Sequence, residues 1–102
     1  MRKTTTHKFT IADGQTAAAE TAAVGGVAFG GIHVSEGLDG LTLSFYDSGD
    51  WGRDLVLEKV VETGFNPFSD TEARAIGPSQ LIDIEASAGV SGAQTAWLKL
   101  KD

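Results

Sequence analysis

Thr95-Ala96-Trp97-Leu98-Lys99-Leu100-Lys101 is the stretch that decides the fold. Ala96, Leu98 and Leu100 fall on one side of an extended chain, and Trp97, Lys99 and Lys101 on the other. That period of two is the mark of a strand with one buried face. The same grammar recurs upstream. Thr5 to Ile11 sets His7, Phe9 and Ile11 against Thr6, Lys8 and Thr10. Leu41 to Tyr46 turns Leu41, Leu43 and Phe45 inward and Thr42, Ser44 and Tyr46 outward. Between such runs, Asp13-Gly14, Gly25-Gly26, Gly30-Gly31, Asp39-Gly40 and Ser48-Gly49 supply turns or bulges.

The remaining segments are less regular. In Val27 to Val34, Val27 and Phe29 have the opposite parity to Ile32 and Val34, which predicts a bulge at Gly30-Gly31. Asp54 to Glu62 holds Leu55 and Leu57 in register before Val60-Val61, which predicts an irregularity or a strand end near Lys59. Glu72–Ile76 and Ile82–Ala86 read as short strands, and Gly77 to Leu81 as a turn or one 3₁₀ turn. Gln15–Ala23 is alanine-rich, but nine residues make a marginal helix, so it reads as extended. Seven or eight short strands with little or no helix predict an all-β fold, an antiparallel β-sandwich of jelly-roll type. The expected organisation is a basic N-terminal arm over 1–8 and one sandwich domain over 9–102.

Composition narrows the function. The chain has 102 residues and no cysteine, which excludes a disulfide scaffold, a thiolate zinc site and a cysteine nucleophile. No 7–15-residue apolar core follows the basic N-terminus, and no apolar run approaches the roughly 20 residues of a membrane helix. A soluble intracellular protein without membrane contact is expected. The net charge of −6 is unevenly spread. Arg2, Lys3 and Lys8 stand without an acid in the first ten residues, whereas residues 11–98 set Arg53, Lys59 and Arg74 against thirteen acids. An acidic body repels phosphate backbones, so nucleic acid is not an expected partner.

The search for chemistry ends on surfaces. His7 and His33 are the only histidines, and neither has the spacing of a triad, so both read as structural. The glycine-rich run Gly25–Gly31 opens no helix and is no dinucleotide fingerprint. Asp47, Asp50 and Asp54 surround two glycines, yet their spacing departs from a calcium loop, and a plain connection between strands is the better reading. No cofactor and no metal site is expected, and the chain is not expected to be an enzyme. Trp51, Phe65 and Phe68 lie in Gly/Pro/Asp-rich segments, where aromatics serve as interface anchors or sugar platforms, or fold back to close a sandwich end. With the outward Trp97 and the basic Arg2, Lys3 and Lys8, they are the candidate partner-binding residues.

Taken in order, Phe9-Thr10-Ile11-Ala12-Asp13-Gly14-Gln15-Thr16, Gly31-Ile32-His33-Val34, Leu38-Asp39-Gly40-Leu41-Thr42-Leu43-Ser44-Phe45, Ile76-Gly77-Pro78 and Ala93–Leu100 resemble a family of small β-sandwich virion proteins of tailed bacteriophages. Ser35 stands where that family usually has proline, and Asp50-Trp51-Gly52 replaces its usual Asp-Gly turn. The resemblance implies a capsid decoration (cement) or minor structural protein with no catalytic residues. It further implies binding to the major capsid protein or another virion protein at the capsid surface, after assembly in the host cytoplasm. A homo-oligomer, with a trimer favoured, follows from the same resemblance. The rival expectation is a carbohydrate- or receptor-binding sandwich that stacks sugars on Trp51, Phe65 and Phe68.

Overall fold

Strand β1 (Thr4–Ile11) pairs antiparallel with the C-terminal strand β8 (Gln94–Lys101) over its whole length, so the two ends of the chain lie side by side. The computed structural model describes residues 4–24, 29–49 and 52–101. Between the end strands run β2 (Ala22–Ala23), β3 (Phe29–Val34), β4 (Thr42–Gly49), β5 (Gly52–Val60), β6 (Gly64–Pro67) and β7 (Leu81–Ala86). They form two antiparallel four-stranded sheets, in the orders β1-β8-β3-β6 and β2-β7-β4-β5. Successive strands up to β4 alternate between sheets, and the interleaved order is that of a jelly roll. The all-β sandwich expected from the alternation is therefore present, with eight strands, one short α-helix and one 3₁₀ turn (Glu36–Leu38) among the described residues.

Alternation places the core where the sequence pattern predicts it. Phe9, Ile11, Ile32, Val34, Leu98 and Leu100 from one sheet face Leu43, Phe45, Ile82 and Ile84 from the other, all essentially inaccessible. Each such side chain contributes roughly 1.5–3 kcal/mol of transfer free energy. Gln15–Ala23 is extended as expected, with a bridge from Ala17 to Glu85 and then the two residues of β2 against β7.

Several expectations are corrected. The β3 register to β8 runs unbroken from Phe29 to Val34, so the described part of the strand has no bulge at Gly30-Gly31. Ile32 and Val34 both enter the core. The strand end expected near Lys59 is present, because β5 stops at Val60; a separate irregularity lies earlier, where the β4–β5 register shifts at Phe45/Tyr46 and Val56 is the extra residue. Residues 4–8 are not a separate arm but the first half of β1; Arg2 and Lys3 lie outside the described residues. Gly64–Pro67, within the Gly/Pro/Asp-rich segment that holds Phe65, is the edge strand β6.

The expected strand Glu72–Ile76 is instead helix α1 (Asp70–Ile76). Ser69 caps it: its hydroxyl accepts the Glu72 N–H (3.2 Å), and the Glu72 carboxylate accepts the Ser69 N–H (2.8 Å). That reciprocal capping box satisfies two N–H groups the helix would leave bare. Ala73 and Ile76, three apart, bury the same helix face, and Glu72 also binds the Lys59 ammonium of β5 at 2.9 Å. Partial burial pushes the Glu72 carboxyl up, but the Ser69 N–H, Lys59 and the Ser69 hydroxyl outweigh it, and the group sits below the ordinary glutamate value. A lowered folded-state pKa means stability that is full above the unfolded value and is lost as pH falls through the folded one. Glu72→Gln should therefore cost about 1 kcal/mol at pH 7, within the range for disrupted caps. Urea titrations should find the difference from wild type shrinking below the ordinary glutamate pKa of about 4.3. A gap that is unchanged at pH 3 would contradict this account.

Candidate interaction surfaces

Three of the residues singled out from sequence meet on one line. The register pairs Lys8 of β1 with Trp97 of β8, Trp97 with His33 of β3, and His33 with Phe65 of β6. Their chain neighbours Phe9, Ala96, Leu98, Ile32 and Val34 are buried, so these four belong to the opposite, solvent-facing side of the sheet. The row thus crosses all four strands as Lys8–Trp97–His33–Phe65. His33 and Trp97 meet edge to face, with centroids 5.4 Å apart at 71°. Phe65 is 51% exposed, and its ring lies over Gly31, where a Cβ would sit 2.7 Å from the ring's Cζ. An aromatic laid over a strand glycine restores the packing the missing side chain forgoes.

The next row on this face is Thr6, Lys99, Gly31 and Pro67. Thr6, His33, Trp97 and Lys99 line an open hollow of about 350 Å³. Among the described residues no strand position on this face is an acid, although the chain carries fourteen. Among the described residues, Lys8 and Lys99 form no ion pair.

The second sheet presents the opposite character. Asp83 and Glu85 of β7 and Glu58 of β5 lie on its outer side, where Arg53 opposes Asp83 and Glu85. The Arg53 guanidinium reaches Asp83 (3.3 Å) and Glu85 (3.4 Å) and lies 3.6 Å above the Tyr46 ring. The Thr16 hydroxyl donates to Glu85 at 3.2 Å. Exposed apolar side chains share this face: Leu55 (50%) and Val60 (64%) on β5 and Leu81 (38%) on β7. Strand β5 is an edge of its sheet, so one line of its backbone groups has no strand partner.

The other candidates are dispersed. Phe68 takes the second of the two roles open to it and folds back: it is half-buried, its N–H donates to the Gly30 carbonyl (2.9 Å), and it meets Phe45 edge to face at 5.8 Å. It closes an end of the core and presents no free platform. Arg2, Lys3 and Trp51 lie outside the described residues, as does Asp50 of the candidate calcium loop. Asp47 and Asp54 stand opposite each other on β4 and β5, with one Asp47 carboxylate oxygen buried and unpartnered. No group of three metal-ligating side chains occurs among the described residues, and no helix there is long and apolar enough to cross a membrane. His33 and Lys99 are the residues that sequence reasoning passed over. The alternation Ile32-His33-Val34 already pointed His33 outward, but only the strand order puts it beside Trp97.

The sequence matches no family model and no curated protein. The crystal structure of the SPBc2 prophage-derived protein YomS is similar, with a TM-score of 0.67 over 100% of this chain and 96% of that one. At 15% sequence identity the likeness is one of fold.

Proposed function

We propose that this chain is a structural virion protein of a tailed phage, and specifically a capsid decoration protein that binds the major capsid lattice as a homo-oligomer, with a trimer favoured. It acts by binding and not by catalysis. The observation that carries the reading is the acidic sheet's outer side, where Leu55 and Val60 stand exposed on an unpaired edge strand. Apolar side chains beside free backbone groups are the usual material of subunit contacts. The end-to-end likeness to a prophage-derived protein and the family resemblance of the strand-and-turn sequence support the phage context. A small domain assembled in many copies also gains stability by mass action.

The basic segment is a poor place to test this. Deleting residues 2–8 would remove five residues of β1 and strip β8 of a neighbour. The cleaner variant is Leu55→Lys combined with Val60→Lys, both on exposed positions. Light scattering of the purified wild type should report a trimer, and density-gradient particles from host cells should carry the chain. The double variant should be a folded monomer whose particle occupancy drops at least about tenfold, the equivalent of losing roughly 1.4 kcal/mol of contact. Wild-type chain absent from particles would refute the decoration role.

A further inference from the structure

The basic sheet face has no place in that assembly, and its chemistry is specific enough to read. We infer that the hollow bounded by Thr6, His33, Trp97 and Lys99, extended along the row to Phe65, is a binding site for an acidic saccharide of the hexuronic acid type. Four observations converge on that ligand. The hollow, at about 350 Å³, is shallow and open, so it suits a chain passing across the sheet and not an engulfed small molecule. Trp97 and Phe65 sit two strands apart in one row, about 10 Å at the usual strand spacing, and offer two apolar platforms for the C–H faces of alternate rings of one sugar chain. His33, between them, and Thr6 supply groups that can both donate to and accept from sugar hydroxyls. Lys99 borders the hollow, and Lys8 stands beside Trp97 in the same row; neither is committed to an ion pair among the described residues. A carboxylate on the sugar would be their partner.

Other anions fit less well. Binding a polynucleotide takes several phosphate contacts, whereas the row and its hollow bring Lys8 and Lys99 on a domain of net charge −6. An acidic peptide would gain most by adding to a free strand edge, whereas the row lies across the middle of a paired sheet. The inference does not depend on the decoration role, because it concerns the opposite face and the isolated chain.

The test is a fluorescence titration of the full chain carrying Trp51→Phe, which leaves Trp97 as the only indole. An oligogalacturonate should change the Trp97 emission saturably, with an affinity that falls as salt is raised. A neutral hexose oligomer of equal length should bind about tenfold more weakly or worse, since it forgoes the charge-assisted contact. Lys99→Glu, at an exposed position, should weaken oligogalacturonate binding by at least about tenfold with an unchanged thermal transition. Amide NMR shifts on oligogalacturonate should concentrate at Thr6, His33, Trp97 and Lys99. No saturable response to oligogalacturonate, equal binding of the neutral oligomer, or an unaffected Lys99→Glu would each overturn the inference. So would tighter binding of oligothymidylate or polyglutamate than of the saccharide.

Discussion

Asn66→Ala is expected to cost about 3 kcal/mol, the sum of a few lost or unsatisfied polar contacts, in a domain whose whole stability is of the order of 5–15 kcal/mol. Asn66 is the main buried polar side chain of the edge strand β6, at 9% exposure. Its Oδ1 accepts the Glu62 N–H at 2.9 Å. Its Nδ2 lies within bonding distance of the carbonyls of Glu62 (2.9 Å), Gly64 (3.0 Å) and Ile32 (3.2 Å). Two hydrogens serve those three oxygens, so the amide ties the turn between β5 and β6 to itself and to β3. Alanine leaves the Ile32 carbonyl without its side-chain partner in a buried place, while the turn groups are only partly reached by water. Urea unfolding should show a lower midpoint with an unchanged slope. Asn66→Asp sharpens the point. It keeps an acceptor for the Glu62 N–H but aims an anion at carbonyl oxygens, so it should be at least as damaging at pH 7 and should recover in part once acid restores an O–H donor. A loss below 1 kcal/mol for Asn66→Ala would mean the turn holds without its tie.

The second large effect is expected at Gly30. Its φ is +152°, and a Cβ there would fall inside the Lys99 carbonyl group, 2.8 Å from its carbon and 3.2 Å from the Leu100 Cα. The obstacle is backbone, not the flexible end of a side chain. Strand β3 is held between β8 and β6, so relief requires opening the ladder in the middle of the sheet. Gly30→Ala should cost more than about 4 kcal/mol, the level reached only when strain and disrupted packing combine, and should leave little folded protein after expression. Gly40→Ala is the control. Gly40 has φ +77° but nothing within 4 Å of the added carbon, so only the left-handed backbone term applies, about 1 kcal/mol. Comparable thermal midpoints for the two variants would show that the close approach of β3 to β8 is not what demands glycine.

These two residues also mark what the sequence could not disclose. Thr95–Lys101, Thr5–Ile11 and Leu41–Tyr46 were legible because a sheet with one wet face imposes a strict alternation over six or more residues. Glu72-Ala73-Arg74-Ala75 also alternates, but four residues cannot separate a period of two from one of 3.6. The deciding signal stood just upstream, in Ser69 and Glu72 at capping-box spacing. In Gly64-Phe65-Asn66-Pro67 the pattern is inverted: the polar Asn66 is buried and Phe65 is exposed, because the edge strand spends its inward position on hydrogen bonds. The site was legible only in part for a related reason. Alternation assigns Lys8 and Trp97 to outer faces, yet which strands are neighbours is a long-range property, and only the order β1-β8-β3-β6 gathers Lys8, Trp97, His33 and Phe65.

Lys8 and Lys99 on the outer side of one sheet, with Glu58, Asp83 and Glu85 on the outer side of the other, make the domain bipolar despite its net charge of −6. Packed sheets stand about 10 Å apart, close to the Debye length of about 10 Å at 0.1 M salt. At that ionic strength a nearby surface senses chiefly the face turned toward it, whereas at 0.01 M, with a Debye length of about 30 Å, it senses the whole. The molecule would then adhere to a cation exchanger at moderate salt and be rejected by it at very low salt, the reverse of ordinary elution. A domain of this kind arrives already oriented, with its lysines and Trp97 toward an anionic surface and its edge strand β5 facing away.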